Sequence, residues 1–559
     1  MSEFQQIINE SGATVAIKTA AKAERLFAIP HLNKVSAFSA HERIQFNLLG
    51  RLPFRIETLS EQLKRSYQQF LQQPDAVQKN LFLRNLYQTN ETLFYQLVNA
   101  HLEEVLPIIY TPTIAQMVEQ FSLQFRRPRG LYLAYPDQDY VSKIFAQFDG
   151  SEFDIVVITD GESVLGIGDQ GIGGMEICLA KLMVYVACGG VIPYRILPIQ
   201  IDVGTNNAKL LNDPLYLGWR HKRVVGESYD AFIAQIVSCI HATWPSAYLH
   251  WEDFGRDNAR RNLQRYRDRL CSFNDDMQGT GSVTLAALLT AVRLTNSQLT
   301  QQRVVIFGAG TAGTGIADQI CRGMMKAGAS QQQALDAIWL VDRQGLLMHD
   351  SVNLMDFQKP YCKSWSLSAV DLETVVYQIK PTILIGCSSV SGAFTRSIIE
   401  TMAFHVTRPI IFPLSNPTEK IEASPADLLH WTKGRALIAT GSPFQPVLFQ
   451  GHSISIAQCN NALIYPGIGL GVIVAKARRL SDDMLFEACL TLSRCAESDL
   501  VLLPNFDRIH AISKRIALAV AEQAAHEKLA GVPDATDFSA AIDQYFWLPE
   551  YYPLLLETE

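Results

Sequence analysis

RVVIFGAGTAGTGIADQICRG, Arg303 to Gly323, decides the fold class. Four β-formers, Val304 to Phe307, run directly into Gly308, Gly310 and Gly313 at the spacing GxGxxG, and a helical pattern begins behind them. Strand, glycine turn and helix in that order make a dinucleotide site. The glycines allow a tight turn and a close backbone approach, and the helix N-terminus faces a pyrophosphate. The plain alternative is a glycine-rich turn in an unrelated α/β unit. The next apolar run, IWLVD, ends in Asp342, the expected acceptor for a ribose hydroxyl. Asp342 lies 29 residues past Gly313, where about 20 is usual, and the polar insert AGASQQQALDA accounts for the excess. An acid at this place favours NAD. Arg343 beside it is either a partner for the 2′-phosphate of NADP or an ordinary solvated charge.

Outward from that stretch the same texture continues. PTILIGCSS, RPIIFPLSNPT and ALIATGSP are further short apolar runs ending in polar or glycine residues, the mark of an open parallel sheet with crossover helices. An earlier series, DIVVITDG, RILPIQIDVGTN, AYLHWEDFG and LCSFNDD, reads as another parallel sheet. Before it, residues 1 to about 130 are rich in Gln, Leu, Asn and Arg with apolar residues at helical spacing. Asn90 with Glu91 and Ser60 with Glu61 read as helix starts. Helices dominate again beyond about residue 467, and the tail QYFWLPEYYPLLLETE is aromatic and contains prolines. The expectation is an α/β protein in four segments. These are a helical N-terminal domain (1–130), a parallel-sheet catalytic and metal domain (131–278, completed by about 468–540), a Rossmann-type NAD-binding domain (279–467) and a C-terminal tail (541–559).

Composition narrows the function classes. The 559 residues are 48% hydrophobic and 18% charged, which supplies large cores and argues against disorder. A net charge of −7 and a pI near 6.0 give no electrostatic footprint for nucleic acid or an anionic membrane. No apolar run in the sequence reads as approaching the roughly 18–20 residues of a membrane span. The longest candidate, Leu463 to Ala475, carries one Pro and three Gly. The start MSEFQQIINESG has no basic region followed by an apolar one, so no secretory signal is read. Ten cysteines stand singly without a CxxC pair, which argues for a reducing, cytoplasmic setting and against zinc.

Ligands of open parallel sheets bind beyond the carboxyl ends of the strands, so chemistry is sought there. AYLHWEDFG ends with Glu252 and Asp253, and LCSFNDD with Asp275 and Asp276. Four carboxylates at two strand ends repel at neutral pH unless a cation sits among them. Oxygen donors without His or Cys select Mg²⁺ or Mn²⁺. Strand ends also carry Asp as a turn former, which is the bland reading. Lys181 stands in the otherwise apolar GIGGMEICLAKLMVYVACGG. Such a lysine either snorkels to water or, desolvated, becomes a base usable near neutrality. Tyr110, before a Thr-Pro turn in PIIYTPT, is by itself a packing residue or an acid.

Together these motifs resemble the malic enzymes. The resemblance rests on YTPT at Tyr110, VITDGESVLGIGDQGIGG from Val157, the Lys181 helix, IDVGTNN from Ile201, LNDPLY from Leu211 and WEDF at Trp251. It continues through FNDDMQGT from Phe273, GAGTAG from Gly308, PLSNPT from Pro413, ATGSPF from Ala439 and NNALIYPGIGLG from Asn460. It implies oxidative decarboxylation of L-malate to pyruvate and CO₂ with reduction of NAD, dependent on Mn²⁺ or Mg²⁺. It further implies that Glu252, Asp253 and Asp276 ligate the metal, that Lys181, paired with Asp275, is the base, and that Tyr110 donates a proton. Asn416 and Asn461 are implied as contacts of malate or the nicotinamide end of the cofactor, and the assembly as a homodimer or homotetramer. No nucleic acid or membrane partner is expected.

One departure stands out. The family usually carries Arg after Gly-Glu in its TDGER segment, where it binds substrate or cofactor, and this chain has Ser163. Malolactic enzymes, a sister group that converts malate to lactate and CO₂ with retained NAD, also lack that Arg. HKRVVGESYD from His221, LHWEDFGR from Leu249, QGTG at Gln278 and IAQMVEQFS from Ile114 resemble that group, so a malolactic reaction is the alternative expectation.

Overall fold

A computed structural model describes residues 4–9, 14–148, 150–164, 166–364, 370–496 and 501–557. The chain divides into two compact units. The first comprises residues 1–157, 171–247 and 539–559, the second residues 158–170 and 248–538. The chain crosses from one unit to the other four times.

Most of the early part of the first unit is helical, with side-chain caps at the helix starts. Asp75 caps Ala76–Thr89 and Asn90 caps Glu91–Ala100, each accepting from a backbone N–H three residues on. The helix Leu59–Leu71 starts earlier than the Ser60–Glu61 reading. Its cap is Thr58, whose hydroxyl accepts from the Glu61 N–H while Glu61 reaches back to the Thr58 N–H. The helical reading of residues 1–130 also needs correction at its start. Gln5–Ile8 and Thr14–Thr19 form an antiparallel pair, and Leu554–Leu556 joins Thr14–Thr19 in parallel. Ile17 and Leu554 from this sheet enter a core with Leu26, Phe38, Phe46 and Leu48. Leu131–Ala134 pairs in parallel with Ile196–Asp202.

Through the first unit runs a helical segment, Gly171–Gly189, of 19 residues and mean hydropathy 1.5. It meets the length and apolarity of a membrane span, contrary to the sequence reading, and 94% of its apolar window is buried inside the protein. Its regular part, Met175–Gly189, ends at Gly190, which has φ +62° and lies under the Phe546 ring.

The second unit is built on a seven-stranded sheet: β1 (Val304–Phe307), β2 (Ile338–Asp342), β3 (Gly345–Leu346), β4 (Ile383–Gly386), β5 (Ile410–Pro413), β6 (Leu437–Thr440) and β7 (Ala457–Gln458). Their spatial order is β3-β2-β1-β4-β5-β6-β7. All pair in parallel except β3, which is antiparallel to β2. The order reverses at β1, with β2 on one side and β4 on the other. A crevice opens at such a point beyond the strand ends, and ligands bind there. Val305, Leu384, Ile411 and Ile438 from the strands pack with Val375, Ile399, Met402 and Leu428 from the helices. In the same unit Tyr248–Trp251 pairs in parallel with Ser272–Asn274, His250 opposite Phe273 and Trp251 opposite Asn274. That register delivers both acidic strand ends to one edge.

Candidate active site

Both acidic strand ends turn sharply. After Trp251, Asp253 adopts φ +54°, a left-handed backbone costly for a side chain with a Cβ and concentrated at functional sites. Two contacts hold it: its N–H donates to Asp276 Oδ2 at 2.9 Å, and its carbonyl accepts from the Ser163 N–H at 3.0 Å. After Asn274 the chain forms one wide π-type turn, Asp275–Gly279, that runs straight into the helix Thr280–Leu294. Asn274 caps it by accepting from the Met277 N–H at 3.0 Å. A Cβ on Gly279 would stand 1.9 Å from Asp275 Oδ1, so a larger residue there would displace the Asp275 carboxylate.

These turns bring Glu252, Asp253 and Asp276 together, one ligand oxygen from each within 4.8 Å of the others. Glu252 and Asp253 are buried and Asp276 is half-buried. Three carboxylates this close repel one another, and a hard divalent cation with oxygen preference relieves that repulsion. The donor set therefore fits Mn²⁺ or Mg²⁺. Asp275 Oδ2 accepts from Asn461 Nδ2 at 2.8 Å, and the same amide lies 3.1 Å from Thr280 Oγ1. Asn461 is thus seated on Asp275.

The glycine-rich turn occupies the crevice at the sheet's reversal point. Gly308 has φ +112°, and a Cβ on it would meet Cys387 O at 2.5 Å. Gly310 opens the helix Thr311–Lys326. A Cβ on Gly313 would stand 1.8 Å from Gly308 O. Gly308, Gly310, Gly313, Asp342, Arg343 and Asn416 line one cavity of about 450 Å³. Asp253, Asp276 and Ser163 line the same cavity. Asp342 ends β2 and accepts from the Arg343 N–H at 2.8 Å. The Asn416 carboxamide oxygen accepts from the Ser442 hydroxyl. The volume, the helix N-terminus and the acid at the β2 end suit a dinucleotide.

In the first unit, Tyr110 follows the helix Leu102–Ile109, and Lys181 lies midway along Met175–Gly189. Lys181 is 3% exposed, which excludes snorkelling. Its Nζ is 5.2 Å from the centroid of the Tyr110 ring, within cation–π range. The two residues read as base and acid in the sequence are neighbours.

Two residues escaped the sequence reading. His250 is fully buried, and its Nε2 lies 2.6 Å from Glu252 Oε2, which fixes that carboxylate. One ring nitrogen of His250 and one oxygen each of Glu252 and Asp275 also lie within 4.8 Å. Its position two residues before Glu252 on a strand, hence on the same face, is the signal that was available. Glu422, also fully buried, accepts at 2.9 Å from both the N–H and the hydroxyl of Ser388, and at 2.5 Å from the hydroxyl of Ser415. It ties together the loops after β4 and β5 that wall the cavity. Nothing in the sequence around it, NPTEKIEAS, distinguishes it from a solvated acid.

The chain matches two family profiles: "Malic enzyme, N-terminal domain" over residues 87–267 and "Malic enzyme, NAD binding domain" over residues 277–525. It is 46% identical over 538 residues to an NAD-dependent malic enzyme of Vibrio parahaemolyticus, covering 94% of this chain and 96% of that one. It is 47% identical over 534 residues to an NAD-dependent malic enzyme of Shewanella baltica, covering 93% and 95%. Among solved structures it resembles the malic enzyme of Entamoeba histolytica, with a TM-score of 0.55, 23% identity and 89% coverage of each chain. The profiles, taken together, span most of the chain, and the relatives match at nearly full length. The chain belongs to the malic enzyme family.

Proposed function

We propose that the protein oxidatively decarboxylates L-malate to pyruvate and CO₂, reducing NAD, with Mn²⁺ or Mg²⁺ held by Glu252, Asp253 and Asp276. One observation carries this reading: the carboxylate cluster and the glycine-rich turn open into a single cavity. A divalent ion and a dinucleotide are thereby offered to one substrate. Bound there, the metal supplies Lewis-acid polarisation of the malate C2 oxygen and neutralises the cluster.

The chain's own residues do the rest. Lys181, buried among apolar side chains, takes the proton from the C2 hydroxyl. Tyr110, against its ammonium, delivers a proton to C3 after CO₂ leaves. Asp275 and Asn461 form a hydrogen-bonded pair that fixes the turn presenting Asp276. His250 orients Glu252, as second partners of metal-binding carboxylates do. Gly308, Gly310, Gly313 and Asp342 receive NAD, the hydride acceptor, and Asn416 stands at the same cavity wall.

The test is to incubate the protein with L-malate, NAD and Mn²⁺, follow NADH absorbance and identify the organic product. Pyruvate and NADH in equal amounts are expected. Lactate without net NADH overturns the proposal, as does the same rate with metal removed.

A further inference from the structure

A buried charge stands behind one wall of the cofactor crevice. Glu422 is fully buried, and among the described residues every hydrogen-bond partner of its carboxylate is neutral. Oε1 accepts from the Ser388 N–H, the Ser388 hydroxyl and the Ser415 hydroxyl, and the Ser415 N–H lies 3.4 Å from Oε2. Both hydroxyls are committed on their other side. Ser388 Oγ accepts from the Val390 N–H at 3.1 Å, and Ser415 Oγ from the Ser389 N–H at 2.8 Å. Their protons therefore go to Glu422, and the carboxylate meets donors only, as an anion requires. Gly386, at the end of β4, leaves it room: a Cβ there would stand 2.5 Å from Glu422 Cδ.

This network holds a strained turn against the cavity. Ser389 has φ +58°, a left-handed backbone that persists only where its surroundings enforce it. Ser388, Ser389, Val390, Ser415 and Asn416 all line the cavity of about 450 Å³. The charge reaches that wall as well. Burial pushes the Cys387 thiol up, and the Glu422 charge pushes it further. Cys387 lines the same cavity.

The sheet decides which part of a dinucleotide meets this wall. On the NAD reading above, on which this inference rests, Asp342 at the end of β2 takes the adenosine ribose and the glycine turn after β1 takes the pyrophosphate. The nicotinamide half then extends to the other side of the reversal point, over the loops after β4 and β5. An oxidised nicotinamide ring carries a positive charge, and a reduced one is neutral. We propose that Glu422 is a positioning residue whose buried charge, set behind Ser388 and Ser415, makes the site select the oxidised cofactor over the reduced one. Hydride transfer removes the positive charge that Glu422 attracts, so the reduced cofactor is held less tightly and leaves.

The experiment is calorimetric titration of the full-length protein, in the presence of Mg²⁺, with NAD and separately with NADH. Glu422→Gln keeps the shape and removes the charge. It should weaken NAD about tenfold, the scale for unit charges roughly 10 Å apart at an effective dielectric of about 20, and change NADH less than about twofold. Glu422→Asp keeps the charge and shortens the side chain, so the ratio of the two affinities should stay within about twofold of wild type even where both fall. Glu419→Gln, at an exposed acid three residues earlier, should leave both affinities unchanged. Equal weakening of the two forms in Glu422→Gln makes the residue a brace for the loops alone and overturns the proposal, as does an unchanged NAD affinity or an equal effect of Glu419→Gln. Should Glu422→Gln not fold, a ratio kept in Glu422→Asp supports the proposal and a ratio lost overturns it. A wild type that binds neither form overturns the NAD reading and this inference with it, a result distinct from all the others.

Discussion

Gly310 and Gly313 belong to one motif, yet their substitution by alanine should produce different failures. A Cβ on Gly313 would stand 1.8 Å from Gly308 O and 3.0 Å from Cys387 Sγ. The turn and the helix must separate by about 1.2 Å to bring the first contact to 3.0 Å, the closest that real Cβ atoms tolerate. Backbone shifts of this kind cost about 1–3 kcal/mol. In a unit this large that lowers the melting temperature by roughly 2–12 °C. The displaced turn also loses alignment with the pyrophosphate. At about 1.5–3 kcal/mol per charge-assisted hydrogen bond, NAD affinity should fall at least tenfold. Gly310 has open space where its Cβ would go, and it faces the cavity. Gly310→Ala should therefore leave the melting temperature of the NAD-free protein within a degree or so, while the methyl group weakens NAD by obstructing its approach. The assay is paired: differential scanning calorimetry without NAD, then fluorescence titration with NAD. If Gly313→Ala keeps both values, or Gly310→Ala destabilises as much as Gly313→Ala, the contact argument is wrong.

Four further outcomes are expected. Asp276→Ala should abolish metal-dependent turnover with the circular dichroism spectrum intact, and full activity of EDTA-treated wild type would remove the cluster from the reaction. Lys181→Ala should lower kcat by about 10²–10⁴ and leave NAD affinity unchanged, since general acid–base groups contribute on that order. A loss of tenfold or less would make Lys181 structural. Ser163→Arg puts a guanidinium into the cavity beside Asp253 and Asp276, and should lower the malate KM about tenfold with pyruvate still the product. An unchanged KM would mean that position 163 does not face substrate. Burial holds Lys363 down to about 8 from the usual 10.5. Between those values the unfolded chain keeps a proton that the folded chain has released, so the contribution of this one group to stability rises with pH across that window. Lys363→Met should therefore make the change in urea midpoint from pH 8 to pH 10.5 more negative than in wild type, and an identical change in the two proteins would refute the assignment.

The second unit was the more legible part of the molecule. Each of its buried parallel strands is a short apolar run closed by a glycine or polar residue, and the pattern locates the strand end where ligands bind. The acids at Glu252, Asp253 and Asp276 were readable because they stop two such runs. His250 was not, because one histidine in an apolar strand reads as packing until the partner of its Nε2 is known. Glu422 was hidden for a related reason: its hydrogen-bond partners, Ser388 and Ser415, follow two different strands. The helix starting behind Asn90 was visible as a local cap. The parallel pairing of Thr14–Thr19 with Leu554–Leu556 was not, because the partner lies more than five hundred residues away. Gly171–Gly189 escaped notice because glycine, Lys181 and Glu176 interrupt a run that is apolar on average.

That distant pairing imposes an order in time. Thr14–Thr19 is made early, but Ile17 meets its parallel partner Leu554 only when the chain has grown to that point. At about 5–20 residues per second, synthesis of the intervening stretch takes roughly 30–100 s. During that interval only Gln5–Ile8 is at hand to pair, on one side, and the other edge of Thr14–Thr19 stays open to any strand that reaches it. The seven-stranded sheet, whose strands all lie between Val304 and Gln458, is fully synthesised while that edge is still waiting. The nascent protein therefore carries its cofactor sheet before its first-made strand has found its mate, and a chaperone that shields a single strand edge would act on this protein at its beginning, late in its synthesis.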